Sequence, residues 1–279
     1  MFTDNHSNQS IDLCELRSRL IAFDDRTHLH RVQHDDDSDV KESAVLMLLT
    51  PKQPYGVKSD SLHWHLLLTV RASHLRTHAD EVALPGGRRD TRDRTLVDTA
   101  LREAYEEIGL PSSFVQVLCI LSPFRTRFNY AIVPVIGVLN DEGCQHFTPQ
   151  PNPEEVQFCF WLPLDRFLTT QGYSLMQLGP FKTHAFEDTV GNAEHDPVIT
   201  WGITSFMCIL SAMIVFQRQP TFTFPHSQLP IDYRRQSDKS DDRLISTGGI
   251  MEPWRLLVTR ILAESMRPTF AVKRTTGKL

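Results

Sequence analysis

LPGGRRDTRDRTLVDTALREAYEEIGL, residues Leu84 to Leu110, decides how the rest of the chain is read. The stretch predicts a helix from Leu96 to Ile108. At 3.6 residues per turn, Glu103, Glu106 and Glu107 fall at i, i+3 and i+4, so three carboxylates share one face. Leu101, Ala104, Tyr105 and Ile108 form an apolar stripe expected to hold the helix to a core. Gly109 stands where the helix should stop. Like charges at these spacings repel, so a purely structural helix gains nothing from them. A hard divalent cation reverses the sign of the problem, because it prefers oxygen ligands. An E-x-x-E-E face alone is ordinarily a solvated one. Here it follows Pro85-Gly86-Gly87, a loop and Arg102-Glu103, and the whole reads as a site for Mg²⁺ or Mn²⁺, with Glu103, Glu106 and Glu107 as ligands.

These residues resemble the Nudix hydrolase signature, Gly-x5-Glu-x7-Arg-Glu-U-x-Glu-Glu-x-Gly-U, in which U is apolar. The second half matches from Arg102 to Leu110. The first half departs: the interval from Gly87 to Arg102 is one residue longer, and Asp93 stands at the glutamate position. The preceding segment, LLTVRASHLRTHADEVALPGGRRD from Leu67 to Asp90, resembles the coenzyme A diphosphatase branch, with its LLT-x-R strand, LR-x-H-x-G-E loop and lengthened metal loop. Asp80 replaces the glycine before Glu81, a substitution that costs energy if the backbone there needs a positive φ.

The resemblance implies an α/β fold, an α/β/α sandwich with a mixed β-sheet. It also implies hydrolysis of the diphosphate of coenzyme A or an acyl-CoA to 3′,5′-ADP and 4′-phosphopantetheine or its acyl derivative. Glu103, Glu106, Glu107 and Arg102 would carry catalysis, Arg102 ordering the glutamate face by ion pairing. The general base stays open among Glu107, Glu81 and Glu155. Arg71, Arg76, His78 and Arg88, with Arg89, form a basic group before the metal loop that suits a polyanionic substrate. Gly86 and Gly87 permit close backbone approach to it. Phe124, Phe128 and Tyr130 are candidates for a base or pantetheine pocket, though such aromatics are more often core. Two other readings stand beside this one: a Nudix hydrolase of another substrate such as NADH or a dinucleoside polyphosphate, and a weakly active nucleotide-binding module.

Composition bounds the partners. With 41% hydrophobic and 23% charged residues the chain is ordinary for a soluble globular protein, and its net charge of −5 provides no basic footprint for nucleic acid. The five cysteines include no C-x-x-C, which disfavours zinc and a disulfide framework and fits a reducing compartment. No apolar stretch follows the polar start as in a secretory signal, and early acids argue against a mitochondrial leader. ITWGITSFMCILSAMIVF, from Ile199 to Phe216, reads as a buried core helix rather than a membrane span. Gly277-Lys278-Leu279 is similar to the tripeptide read by the peroxisomal import receptor, which makes the peroxisome the expected location ahead of mitochondrion or cytosol.

The expected organisation is an N-terminal helix and polar linker over 1–42, a hydrolase domain over 43–216, and a linker with a further helix over 217–279. A short amphipathic helix is expected over Ile11–Phe23. His6, His28, His30 and His34 lack regular spacing and read as solvated linker. Strands are expected over Ala44–Leu49, Trp64–Val70, Val115–Leu121, Ala131–Leu139 and Phe158–Leu162. A short helix is expected over Leu164–Thr169, and helices over Thr200–Phe216 and Met251–Met266.

Overall fold

The computed structural model describes residues 11–26, 40–51, 64–126, 130–178, 181–190, 196–222 and Val258. In chain order the first elements are α1 (Leu13–Ile21), β1 (Lys41–Thr50), β2 (His65–Arg71), β3 (Val82–Ala83), β4 (Gly86–Arg88) and α2 (Leu96–Ile108). Then come β5 (Val115–Ile120), β6 (Phe124–Arg125), β7 (Tyr130–Leu139), α3 (Asp141–His146) and β8 (Val156–Pro163). A 3-10 turn over Leu164–Leu168 leads to β9 (Tyr173–Leu178), β10 (Phe181–Asp188), β11 (Val198–Trp201) and α4 (Gly202–Phe216).

β1 is the centre of the molecule, and its sequence explains why. KESAVLMLLT is apolar at nearly every position of its second half, as a strand covered on both faces must be. Successive side chains point to opposite faces. Ala44, Leu46 and Leu48 pack with Ala100, Ala104 and Ile108 of α2. Met47 and Leu49 belong to a second core with Leu16 and Leu20 of α1 and Ile209 and Met213 of α4. Helices thus cover both faces of the sheet, giving the expected α/β/α sandwich.

The main sheet has eight strands, with β3, β2, β1, β7 and β5 in order and β4, β6 and β8 pairing onto β1, β7 and β2. β1 and β7 run parallel, Ala44 opposite Val133, whereas β2 runs antiparallel to β1 and to β8, Thr69 opposite Cys159. The sheet is therefore mixed, as expected.

Four differences from expectation have physical causes. Tyr105 does not belong to the apolar stripe: it is 62% exposed, while Ala104 and Ile108 are fully buried. Periodicity placed it within reach of that stripe, but the narrow strip of α2 facing β1 is filled by smaller residues. Gly86 and Gly87, expected to permit close backbone approach, form part of a strand, β4, antiparallel to β1. Thr200 and Trp201 close strand β11, and the final helix begins at Gly202. A second sheet, β9-β10-β11, was not foreseen. Its segments carry no continuous apolar run, and their pairing is long-range.

No helix among the described residues is long and apolar enough to cross a membrane. The histidines His6, His28, His30 and His34, the aromatic Phe128, most of the linker and helix expected over 217–279, and Gly277-Lys278-Leu279 lie outside the described residues.

Candidate active site

The site is built on α2, whose ends are fixed locally. Thr95 caps the start: its hydroxyl accepts from Asp98 N–H at 3.1 Å, and the Asp98 carboxylate accepts from Thr95 N–H at 2.9 Å. This reciprocal arrangement satisfies two amides the first turn cannot. The helix stops at Gly109. With both ends set, rotation about the helix axis is decided by Ala100, Ala104 and Ile108 against β1. That rotation carries Glu107, one residue before Ile108, into the interior beside β4, where only 3% of it is exposed.

Glu107 meets the first half of the motif there. Gly86 N–H donates to Glu107 Oε2 at 3.0 Å. Gly86 has φ +155°, and a Cβ on it would fall 2.4 Å from the Ala44 carbonyl oxygen. A Cβ on Gly87 would fall 2.6 Å from the Glu103 carboxylate. The two glycines therefore let a backbone edge lie directly against two glutamates, a contact that no other residue type permits.

Glu155 reaches the same place from the turn before β8. Ligand oxygens of Glu103, Glu107 and Glu155 all lie within 4.8 Å of one another. The proximity shows in their protonation. Burial pushes the Glu107 carboxyl up to about 8; the Gly86 hydrogen bond opposes the shift, and the Glu103 and Glu155 charges add to it. Burial also raises Glu103, against the pull of Arg102. A trio of converging hard oxygen donors, two of them desolvated, is a poor structural element and a fitting cradle for a divalent cation.

Arg102 does something different. Its Nε and Nη2 donate to Asp93 Oδ1 and Oδ2, both at 3.0 Å. The same guanidinium reaches Glu106 Oε2 at 2.9 Å and Glu103 Oε1 at 3.0 Å. The Asp93 carboxyl is held far below the usual carboxylate range, chiefly by this hydrogen-bonded arginine. Asp93 also accepts from Thr99 Oγ1 at 2.9 Å and from Asp90 N–H at 2.8 Å. Asp93 is therefore the clamp that fixes the lengthened loop to the helix.

Glu106, expected as a ligand, is 44% exposed at its side chain and paired with Arg102; the group of three carboxylates contains Glu155 in its place. Glu155 carried a signal in the sequence, Pro153-Glu154-Glu155-Val156, but nothing local showed which partners it would meet.

Of the basic group, Arg71 comes to the cluster: its Nη1 lies 4.0 Å from Glu107 Oε1, and its buried Nε has no hydrogen-bond partner among the described residues. Arg76 and His78 are exposed on the loop between β2 and β3, where His78 Nδ1 lies 2.8 Å from Glu81 Oε2. Arg88 stacks over the Tyr130 ring at 5.2 Å and donates to its hydroxyl. Arg89 is committed to structure, pairing with Glu42 at 2.7 Å and bonding the Asp93 and Arg94 carbonyls. Phe124 is 4% exposed and packs edge-on against Phe206, so it is core. Asp80 does take the positive φ that makes glycine the easier choice, +60°, and its carboxylate accepts from Ser73 Oγ at 2.6 Å.

Comparison with known proteins agrees with this geometry. A family model described as the NUDIX domain matches residues 41–178. Nudix hydrolase 15, mitochondrial, of Arabidopsis thaliana is 36% identical over 186 residues, 65% of this chain and 61% of the relative. Peroxisomal coenzyme A diphosphatase NUDT7 of Mus musculus is 36% identical over 162 residues, 57% of this chain and 66% of the relative. Uncharacterized Nudix hydrolase NudL of Yersinia enterocolitica is 36% identical over 150 residues, 54% of this chain and 70% of the relative. The chain spans about three fifths of the length of the two Arabidopsis relatives it matches, 61% and 58%.

Proposed function

The chain belongs to the Nudix hydrolase family, and from that premise we propose that it is a divalent-cation-dependent diphosphatase acting on coenzyme A or an acyl-CoA. The products are 3′,5′-ADP and 4′-phosphopantetheine, or its acyl derivative. The observation that carries the hydrolytic part is the convergence of Glu103, Glu107 and Glu155 against the Gly86-Gly87 edge. When bound, a cation such as Mg²⁺ or Mn²⁺ supplies positive charge to the diphosphate and acidity to water.

The chain's own residues supply the rest. Glu103, Glu107 and Glu155 would hold the cation. Arg102 and Asp93 keep Glu103 in place through a planar, two-point contact that a lysine could not reproduce. Arg102 also holds Glu106 at the edge of the cluster, where Glu106 can bond water in the outer layer. Arg71, half-buried beside Glu107 with a free Nε–H, is positioned to meet a diphosphate oxygen. Attack by water on phosphorus releases one proton and breaks one P–O bond. Glu81, one third exposed and hydrogen-bonded to His78, is the carboxylate outside the cluster best arranged to accept that proton.

Coenzyme A is favoured over other nucleoside diphosphates by the LLTVR and LRTHADE elements. They put Arg76 and His78 close in sequence to Arg71, as hydrogen-bond donors for the additional 3′-phosphate. The similarity to a relative named as a coenzyme A diphosphatase supports the same choice. Asp80 does not disable the loop: its N–H still donates to the Arg71 carbonyl at 3.2 Å.

The test is hydrolysis of coenzyme A by the purified full chain with Mg²⁺ or Mn²⁺, products separated by chromatography, with Glu107→Gln alongside. Formation of 3′,5′-ADP, abolished by the substitution, is expected. A folded protein that yields no product from coenzyme A or its acyl esters with either ion overturns the reading.

A further inference from the structure

A cavity of about 560 Å³ has Glu81, the proton acceptor assigned above, among its lining residues and otherwise consists of residues outside the carboxylate cluster. That volume is within the range of about 300–1,000 Å³ that holds small ligands. It opens between the end of β2 and strand β11. Val70, Phe158 and Trp201 contribute its apolar and aromatic wall, and Asp80, Glu81 and Asp196 stand among its lining residues. Among the described residues no lysine or arginine lines it.

The cavity and the cluster meet at Arg71. Arg71 N–H donates to the Glu81 carbonyl at 3.0 Å, and the Arg71 carbonyl accepts from Asp80 N–H at 3.2 Å. The same residue directs its guanidinium to Glu107. The strand end thus sets the Arg71 guanidinium and the cation cradle on one side and, on the other, Asp80, Glu81 and Asp196 around an apolar wall, with His78 against Glu81. A wholly anionic ligand fits only the first half. A ligand that is polyanionic at one end and uncharged, apolar and rich in N–H donors at the other fits both.

We propose that this cavity is a specificity pocket for the non-nucleotide arm of the substrate, taking the amide-bearing pantetheine chain and a neutral acyl group. Asp80, Glu81 and Asp196 reject an acyl group that ends in a carboxylate. This inference rests on the diphosphatase reading and deepens it. Amide N–H groups have acceptors in the three carboxylates, and alkyl carbons have Phe158 and Trp201 to cover them. A terminal carboxylate would instead face like charges, which costs more than any contact it could gain. Asp80 matters most for this chain, because it adds its charge where glycine would present none.

The experiment compares kcat/KM for butyryl-CoA and succinyl-CoA, two acyl groups of similar length that differ in charge. Wild-type protein, Asp80→Asn and Asp196→Asn are assayed, both substitutions keeping side-chain shape and removing charge. Asparagine tolerates the positive φ at position 80 at least as well as aspartate, so the loop is retained. The wild type is expected to favour butyryl-CoA at least fivefold. Each substitution is expected to raise kcat/KM for succinyl-CoA relative to that for butyryl-CoA severalfold. A purely structural role would lower both rates together and leave their ratio alone. An unchanged ratio in both variants overturns the proposal. Failure of the diphosphatase reading looks different: no coenzyme A ester is hydrolysed at all. In that event pantetheine binding, followed by tryptophan fluorescence with Trp201→Phe as control, decides the pocket independently. Saturable quenching lost in the control supports it, and no quenching overturns it.

Discussion

Asp188 and Glu107 are two acids largely withdrawn from water, and the molecule treats them in opposite ways. Beneath β10, Arg166 Nε donates to Asp188 Oδ1 at 2.6 Å, with the side chains 9% and 10% exposed. The guanidinium is used further, donating to the Glu187 carbonyl at 3.1 Å and lying 5.6 Å from the centre of the Phe186 ring. On the other side of the sheet Glu107 is at least as buried, yet its ion-pair partner among the described residues is an arginine at 4.0 Å, and two more carboxylates lie within 4.8 Å. The first acid is raised by burial but steadied by its arginine; the second is pushed up to about 8 with other carboxylates adding to the shift. A buried charge given its counter-ion ties segments together. A buried charge left short of one costs stability, and that cost persists where something outside the chain completes the site.

The sharpest way to break the contrast is Glu107→Gln. Hydrolysis is expected to fall by about a thousandfold, the scale of losing one preorganised electrostatic group. The melting temperature of the cation-free protein is expected to stay level or rise, because a desolvated carboxyl has gone. The rise in melting temperature that Mg²⁺ gives the wild type should vanish with it, since only a ligand of the folded state stabilises that state. Calorimetry with and without Mg²⁺ checks both; a cation-free variant markedly less stable than wild type would show that Glu107 is structural.

The mirror experiment is Arg166→Met. Stranding Asp188 is expected to cost about 3–5 kcal/mol in urea unfolding. kcat/KM of the folded protein should stay within about twofold, since the pair makes no contact with the carboxylate cluster. A large loss of kcat/KM without loss of stability would merge the two sites into one.

His184 offers a test by pH in the same half of the molecule as Arg166. It is 1% exposed, its Nδ1 lies 3.1 Å from the Tyr173 hydroxyl, and burial lowers its pKa from 6.5 to about 4. In the unfolded chain the group protonates near 6.5, so between 6.5 and 4 the unfolded state binds the extra proton. Stability is therefore complete above pH 6.5 and declines as pH falls towards 4, by at most about 3 kcal/mol. Urea titrations at pH 7 and pH 5 should show the decline in wild type and a smaller one in His184→Gln. Equal slopes in the two proteins would remove His184 from the account.

At the bottom of the scale is Arg92→Ala. Arg92 Nε lies 2.9 Å from Asp90 Oδ1, but the side chains are 75% and 37% exposed. Water already solvates both, so no measurable change in melting temperature is expected. A change as large as that of Arg166→Met would mean that burial is not what separates these pairs.

Much of this was legible in advance where the signal is local. The boundaries of α2, Leu96 to Ile108, follow from its periodicity and its closing glycine, both local signals. β1 and β7 were legible because strands covered on both faces must be apolar almost throughout. The strands β9, β10 and β11 lack such runs and exist by pairing with one another. Arg102 could be expected to order the glutamates, but Asp93, nine positions earlier, could not be read as its two-point partner, because the loop between them has to fold back first. Tyr105 was misplaced because an apolar residue at the right spacing is indistinguishable, in sequence, from one that faces water.

The sequence by itself determined that three glutamates would share a helix face behind two glycines, that the helix would sit on an apolar mixed sheet, and that the family would be Nudix. Spacing along one helix is a matter of backbone geometry and needs no distant partner. Tertiary structure alone decided that Glu155 joins Glu103 and Glu107 while Glu106 turns to Arg102, and that Glu107 is the buried one. Those outcomes depend on how α2 is rotated against β1 and on where the turn before β8 arrives. Both are set by long-range packing, and packing fixes which carboxylate loses its water.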